Sequence, residues 1–134
     1  MTIAHWSSRY ETGIGLIDAQ HQALFAAVNR LGEAFTTGTA GFQARESLDF
    51  LAQYAVDHFQ AEEQFMKEMG FPGLEAHAVE HTHLLQEVCG LQDRLAQGRP
   101  VTMEVTIFLA DWLKHHIHES DMGYVRFMQE RNLA

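Results

Sequence analysis

Residues 74–97 read LEAHAVEHTHLLQEVCGLQDRLAQ. No proline interrupts them, and a glycine stands at either end, Gly73 and Gly98. Leu74, Leu84, Leu85, Val88 and Leu95 return with the period of a helix, not a strand. His77 and His81 fall on the same stripe. Four residues along a helix is a rise of ~6 Å and a turn of only ~40° past a full circle, so these two imidazoles point the same way. His83 is rotated ~200° from His81 and points outward. A helix with two histidines on its inward side needs partners for them from other helices. That requirement directs the reading of the rest of the chain.

Outward from this stretch, breakers divide the sequence. TTGTAG at 36–41, GFPG at 70–73 and GRP at 98–100 are the interruptions. The segments between them predict helices at about 18–37, 42–69, 74–97 and 102–130. Asp18 and Thr102 are candidate N-caps, and Gly70 and Gly98 candidate C′ residues. Residues 1–17 carry no helical pattern and read as an ordered N-terminal arm anchored by Trp6 and Tyr10. Long helices with short connections predict an all-α fold, an antiparallel up-down-up-down four-helix bundle. The 134 residues suffice for a single domain, 1–134, with a real core.

Composition narrows the partners. Nine Lys and Arg against eighteen Asp and Glu leave a formal charge of -9, which argues against nucleic acid or an anionic membrane as the main partner. No stretch approaches the ~18 apolar residues of a membrane span. The first residues have neither the basic nor the apolar region of a signal peptide, so a cytoplasmic location is expected. Cys89 is the one cysteine. It reads as a buried, inert thiol.

The inward stripes of the other helices repeat the pattern of the third. The second carries Leu51, Ala55, His58, Glu62, Phe65, Met66 and Met69. The fourth carries Val105, Leu109, Trp112 and His116, and the first His21, Leu24, Phe25, Val28 and Leu31. Any one of these histidines, alone, reads first as an ordinary core residue. Together they are too many, because unpaired polar groups in a bundle core cost several kcal/mol each. A metal is the natural shared partner. Imidazole with carboxylate, and no thiolate, suits iron, manganese or zinc. A single structural zinc needs only four ligands, so two metals sharing carboxylates fit better. The ferritin-like pattern of paired Glu-x-x-His elements is missing. Its one instance, Glu80 to His83, reads as solvent-facing. His5, His115 and His118 read as surface or outer residues with His83.

Four motifs then coincide: IDAQHQALF at 17–25, HFQAE at 58–62, HAVEH at 77–81 and WLKHHIHESD at 112–121. Together they resemble the hemerythrins, specifically the single-domain bacterial ones, across essentially the whole chain. Trp6 and Asn29 also match family positions. The resemblance implies two iron ions. One would take His77, His81 and His116, the other His21 and His58, with Glu62 and Asp121 bridging and an oxo or hydroxo group as third bridge. This leaves one position open for dioxygen. It implies a dioxygen pocket at Leu113, three residues before His116, with Leu24, Phe59, Trp112 and Ile117 as further lining candidates; each also reads as core packing. Asp121 departs from simple geometry. Five residues on from His116, it diverges by ~140° on an ideal helix, where Ser120 would serve better, so a π-type widening or a long carboxylate reach is required.

The function implied is reversible dioxygen binding for carriage, storage or delivery, without enzymatic turnover. Two alternatives use the same cluster: sensing of oxygen, redox state or nitric oxide through a partner, and turnover of peroxide or ferrous iron.

Overall fold

A computed structural model describes residues 4–36, 40–99 and 103–131. Helices α1 (Gly15–Thr36), α2 (Ala40–Met69) and α3 (Leu74–Ala96) are continuous. The fourth rod is composite: α4 (Met103–His115), a widened π-type segment (His116–Asp121) and α5 (Met122–Glu130). No strand occurs among the described residues. Helix α1 packs along α2 and α4, and α2 packs along α3, giving the antiparallel four-helix bundle that the sequence predicts. None of the described helices is long and apolar enough to cross a membrane.

The core has two parts. Leu24, Val28 and Leu31 of α1 meet Leu48, Leu51 and Phe59 of α2, Val88 of α3 and Leu109 and Leu113 of α4. A smaller cluster joins Met66, Tyr124 and Val125, with Phe65, Phe71 and Leu74 packed against it. Full burial of each large apolar side chain stabilises the fold by about 1.5–3 kcal/mol. Along α2 the two clusters end at Phe59 and resume at Met66. The polar pair His58 and Glu62 lies at that join.

The helix ends follow local chemistry. Gly70 has φ +70° and Gly98 φ +76°, a region that costs side chains with a Cβ about 1–2 kcal/mol. After each, the chain doubles back: the Phe71 N–H donates to Met66 O at 3.0 Å and the Arg99 N–H to Arg94 O at 2.8 Å. These are the six-to-one bonds that occupy the last carbonyls of a helix.

Three expectations need correction or restriction. Helix α1 begins at Gly15, not 18, and Asp18 lies inside its first turn. The Asp18 carboxylate accepts hydrogen bonds from the Thr12 N–H and the Thr12 hydroxyl, both at 2.8 Å, and from the Gly13 N–H. It therefore reaches back to pin the arm, as the acidic member of a capping box does. Cys89 is exposed, because one step past buried Val88 turns it ~100° off the stripe. Thr102 lies outside the described residues.

Asn29 clamps the arm: the Ala4 N–H donates to Asn29 Oδ1 at 2.8 Å, and Asn29 Nδ2 donates to Ala4 O at 2.9 Å. Trp6 and Tyr10 both meet Phe25 edge-on, with centroids 5.3 and 5.2 Å apart. Trp6 also lies 6.4 Å from the His21 ring.

Candidate metal centre

His21 comes from α1, His58 and Glu62 from α2, and His77 and His81 from α3. His116 and Asp121 are the two ends of the π segment. None is more than 3% exposed. All seven converge between the helices, and all five imidazoles aim Nε2 at the two carboxylates.

The carboxylates divide those imidazoles into two sets. Glu62 Oε1 faces His77 Nε2 at 3.2 Å and His81 Nε2 at 3.0 Å. Asp121 Oδ1 faces His77 Nε2 at 2.8 Å and His116 Nε2 at 3.2 Å. The other oxygens turn the opposite way. Glu62 Oε2 faces His21 and His58 at 3.5 and 3.6 Å, and Asp121 Oδ2 faces His21 at 3.0 Å. Two donor groups result. One is Glu62, His77, His81, His116 and Asp121; the other is His21, His58, Glu62 and Asp121. Within each, one ligand atom per residue lies within 4.8 Å of every other. Both carboxylates belong to both groups.

The widened turn explains how Asp121 arrives there. An α-helix would bring Ser120 round to the face of His116. Bonding of the i→i+5 type instead returns the fifth residue to that face. Asp121 is accordingly buried, and Ser120 is displaced toward α3, where its hydroxyl donates to Glu80 Oε1 at 2.7 Å.

The electrostatics describe a site built around cationic charge. Burial would lower the pKa of His21, His77 and His116, but the facing carboxylates Asp121 and Glu62 (for His116, chiefly Asp121) reverse this and raise each to about 9. For His58 burial outweighs the raising effect of Glu62, and among the described residues no carboxylate is hydrogen-bonded to it, so its value is lowered to about 4. Burial also opposes charge on Glu62 and Asp121, yet the surrounding imidazoles hold both below the usual carboxylate range, Asp121 at about 2.

The residues fit a metal. Both ring nitrogens of His21 and both oxygens of Asp121 are buried without a hydrogen-bond partner. The His21–Asp121 approach is close but not aligned as a hydrogen bond. His81 Nε2 and His116 Nε2 point at each other across 3.1 Å. Such groups would each cost about 1–3 kcal/mol if left unsatisfied. Divalent cations held between the inward Nε2 atoms and the carboxylate oxygens would satisfy these groups, all but His21 Nδ1, which points away from them. Five imidazole nitrogens with two carboxylates and no thiolate form a donor set for iron, manganese or zinc.

An outer ring of partners orients the imidazoles. His58 Nδ1 lies 2.7 Å from Gln20 Oε1, His81 Nδ1 2.8 Å from Glu63 Oε2, and His116 Nδ1 3.0 Å from Glu80 Oε1. The buried Tyr124 hydroxyl donates to Glu62 Oε2 at 2.9 Å. Burial and the neighbouring carboxylates push its pKa far up, so it stays a donor. Sequence reasoning missed all of these. Glu80 does face solvent in part, as expected, but it also bonds His116 and is lowered to about 2, first by that bond. The available signal for Tyr124 was its place three residues after Asp121, on the face shared with Val125 and Met128.

Among the expected pocket residues, Leu24, Phe59, Leu113 and Ile117 belong to the main core cluster and Trp112 packs against it. Phe59 stacks on His81 with ring centroids 3.8 Å apart, and Trp112 on His116 at 4.5 Å. His5, His83, His115 and His118 are exposed, as expected.

Comparison with known proteins agrees with this geometry. Residues 12–128 match the family model described as the hemerythrin HHE cation binding domain. The bacteriohemerythrin of Methylococcus capsulatus is 33% identical, over 92% of this chain and 95% of that protein. The bacteriohemerythrin of Stenotrophomonas maltophilia is 30% identical, over 92% and 80%. A crystal structure of wild-type hemerythrin superposes with a TM-score of 0.85 at 33% identity, covering 91% of this chain and 95% of that one.

Proposed function

The chain belongs to the hemerythrin family, and from that premise we propose that it binds dioxygen reversibly at a non-haem pair of iron ions. It is read as a binding protein for carriage, storage or delivery of oxygen, not as an enzyme. The observation that carries this is the split of the two carboxylates. Each turns one oxygen to a three-imidazole group and the other to a two-imidazole group. Two adjacent positions with unequal donor sets follow, five protein donors against four.

In this reading His77, His81 and His116 would hold one iron and His21 and His58 the other, with Glu62 and Asp121 shared between the two groups. The group with fewer protein donors would leave room for an exogenous ligand. Two ferrous ions held there would supply the reversible two-electron chemistry that dioxygen binding needs. The chain's own contribution is to fix that pair and keep it dry. Tyr124 holds Glu62 in place through Oε2. Phe59 and Trp112 cover the flat faces of His81 and His116. With Leu24, Leu113 and Ile117 they form the apolar wall proposed to exclude water and protons. A wall without proton donors suits release of oxygen unchanged and works against turnover.

The test is an optical spectrum of reduced, iron-loaded protein before air, in air and after return to anaerobic conditions, with metals counted per chain. Two irons and a spectral change that reverses are expected. One zinc and no iron would overturn the metal assignment. Two irons with a change that never reverses, or steady turnover of peroxide, would overturn the binding role.

A further inference from the structure

The outer nitrogens of the histidines are backed unequally, and the inequality follows the division of the site. On the three-imidazole side, two Nδ1 atoms face carboxylates: His81 faces Glu63 at 2.8 Å and His116 faces Glu80 at 3.0 Å. Glu80 is itself anchored by the Ser120 hydroxyl at 2.7 Å. On the two-imidazole side, His58 Nδ1 faces the neutral amide oxygen of Gln20, and His21 Nδ1 is buried with no partner. A carboxylate accepting from Nδ1–H fixes the ring and its tautomer and makes the inward Nε2 a better electron donor. An amide oxygen orients the ring as well but lends it no charge, and bonds to ionised acceptors are about twice as strong as neutral ones.

We infer that Glu63 and Glu80 are positioning residues that make the three-imidazole position the tighter metal site, and that Gln20 leaves the two-imidazole position the looser one. The inference rests on the two-metal reading above. The same π segment serves both ends of the device. By carrying Asp121 inward it places Ser120 where it can hold Glu80. The two glutamates sit at the rim, their side chains 35% and 45% exposed. They can therefore be altered without opening the core.

The experiment is metal release from the full-length, ferrous-loaded protein under anaerobic conditions into an excess of a ferrous chelator, followed by the colour of the chelate. The parent should release its iron in two phases of equal amplitude. Glu63→Gln and Glu80→Gln keep shape and an acceptor oxygen but remove the charge. Each should accelerate the slow phase about tenfold to a hundredfold and leave the fast phase unchanged. Gln20→Glu should slow the fast phase, an opposite effect that general damage to the fold would not produce. Release in one phase from the parent, or equal acceleration of both phases in the glutamate variants, would overturn the inference while the two-metal reading stands. Fewer than two ions bound at the outset would overturn both.

Discussion

At the residue scale, the candidate ligands other than Asp121 were readable because each sits on an apolar stripe where a polar group is conspicuous. The outer partners were not, because Gln20, Glu63 and Glu80 sit at the rim, where polar residues are expected anyway. Tyr124 was hidden for another reason: an aromatic on a buried stripe reads as packing, and its hydroxyl is invisible to periodicity. Tyr124→Phe keeps the ring and deletes the bond to Glu62 Oε2. A bond to a charged acceptor contributes about 1.5–3 kcal/mol, so chemical denaturation of the metal-free variant should show a loss of that order. An unchanged midpoint would mean that the hydroxyl is not needed. Leu113→Ala tests the pocket instead. Leu113 is 3% exposed within the main core. Truncation costs about 2–5 kcal/mol, which a metal-clamped bundle can survive. All seven ligands remain, but water reaches the proposed oxygen site. Stopped-flow spectra should show the oxygenated form decaying to the oxidised form faster than in the parent. The same decay at two irons per chain would make Leu113 a packing residue only.

At the scale of elements, three helices were legible almost to their ends, because Gly70, Gly98 and the Gly-Thr run at 36–41 punctuate the apolar period. The start of α1 was misplaced because Asp18 resembles a cap in sequence yet reaches backward in space to Thr12 and Gly13. The fourth rod holds the main difficulty. Ideal helical geometry points to Ser120, and only a widened turn delivers Asp121. Backbone widening has no signature in side-chain periodicity, so spacing alone could say that something must give, but not which residue moves. The double variant Ser120→Asp/Asp121→Ser separates the cases. Were the rod a plain α-helix, the moved carboxylate would still face His116 and metal would be kept. With the π segment at His116–Asp121, the new aspartate meets Glu80, and the site loses its second shared carboxylate. Metal analysis should then find fewer than two ions per chain. Retention of both would contradict the assigned backbone.

For the whole molecule, the seven converging side chains come from four helices, so metal bound among them would clamp the bundle, and its removal should weaken the bundle in a pH-dependent way. Metal binds the native state and not the unfolded chain, so the metal-free form must melt lower. Without metal, protons take over part of the neutralisation. His21, His77 and His116 have folded pKa values raised from 6.5 to about 9. Groups raised in the folded state contribute stability that is fully present below the unfolded value and is lost as pH rises through the folded one. These three therefore stabilise the metal-free bundle at pH 6.5 and cease to do so by pH 9. His58 acts in the other direction. Its value, lowered to about 4, costs stability only as pH falls below 6.5, outside this window. The loaded form runs opposite to the empty one, because metal must displace those same protons and binds better as they leave. The gap in melting temperature between loaded and metal-free protein should thus widen from pH 6.5 to pH 9. Thermal melts of both forms at the two pH values would check it. A gap that stays constant or narrows would mean that the imidazoles of the empty site do not hold the protons assigned to them, and that the metal-free bundle rearranges around its unpaired carboxylates.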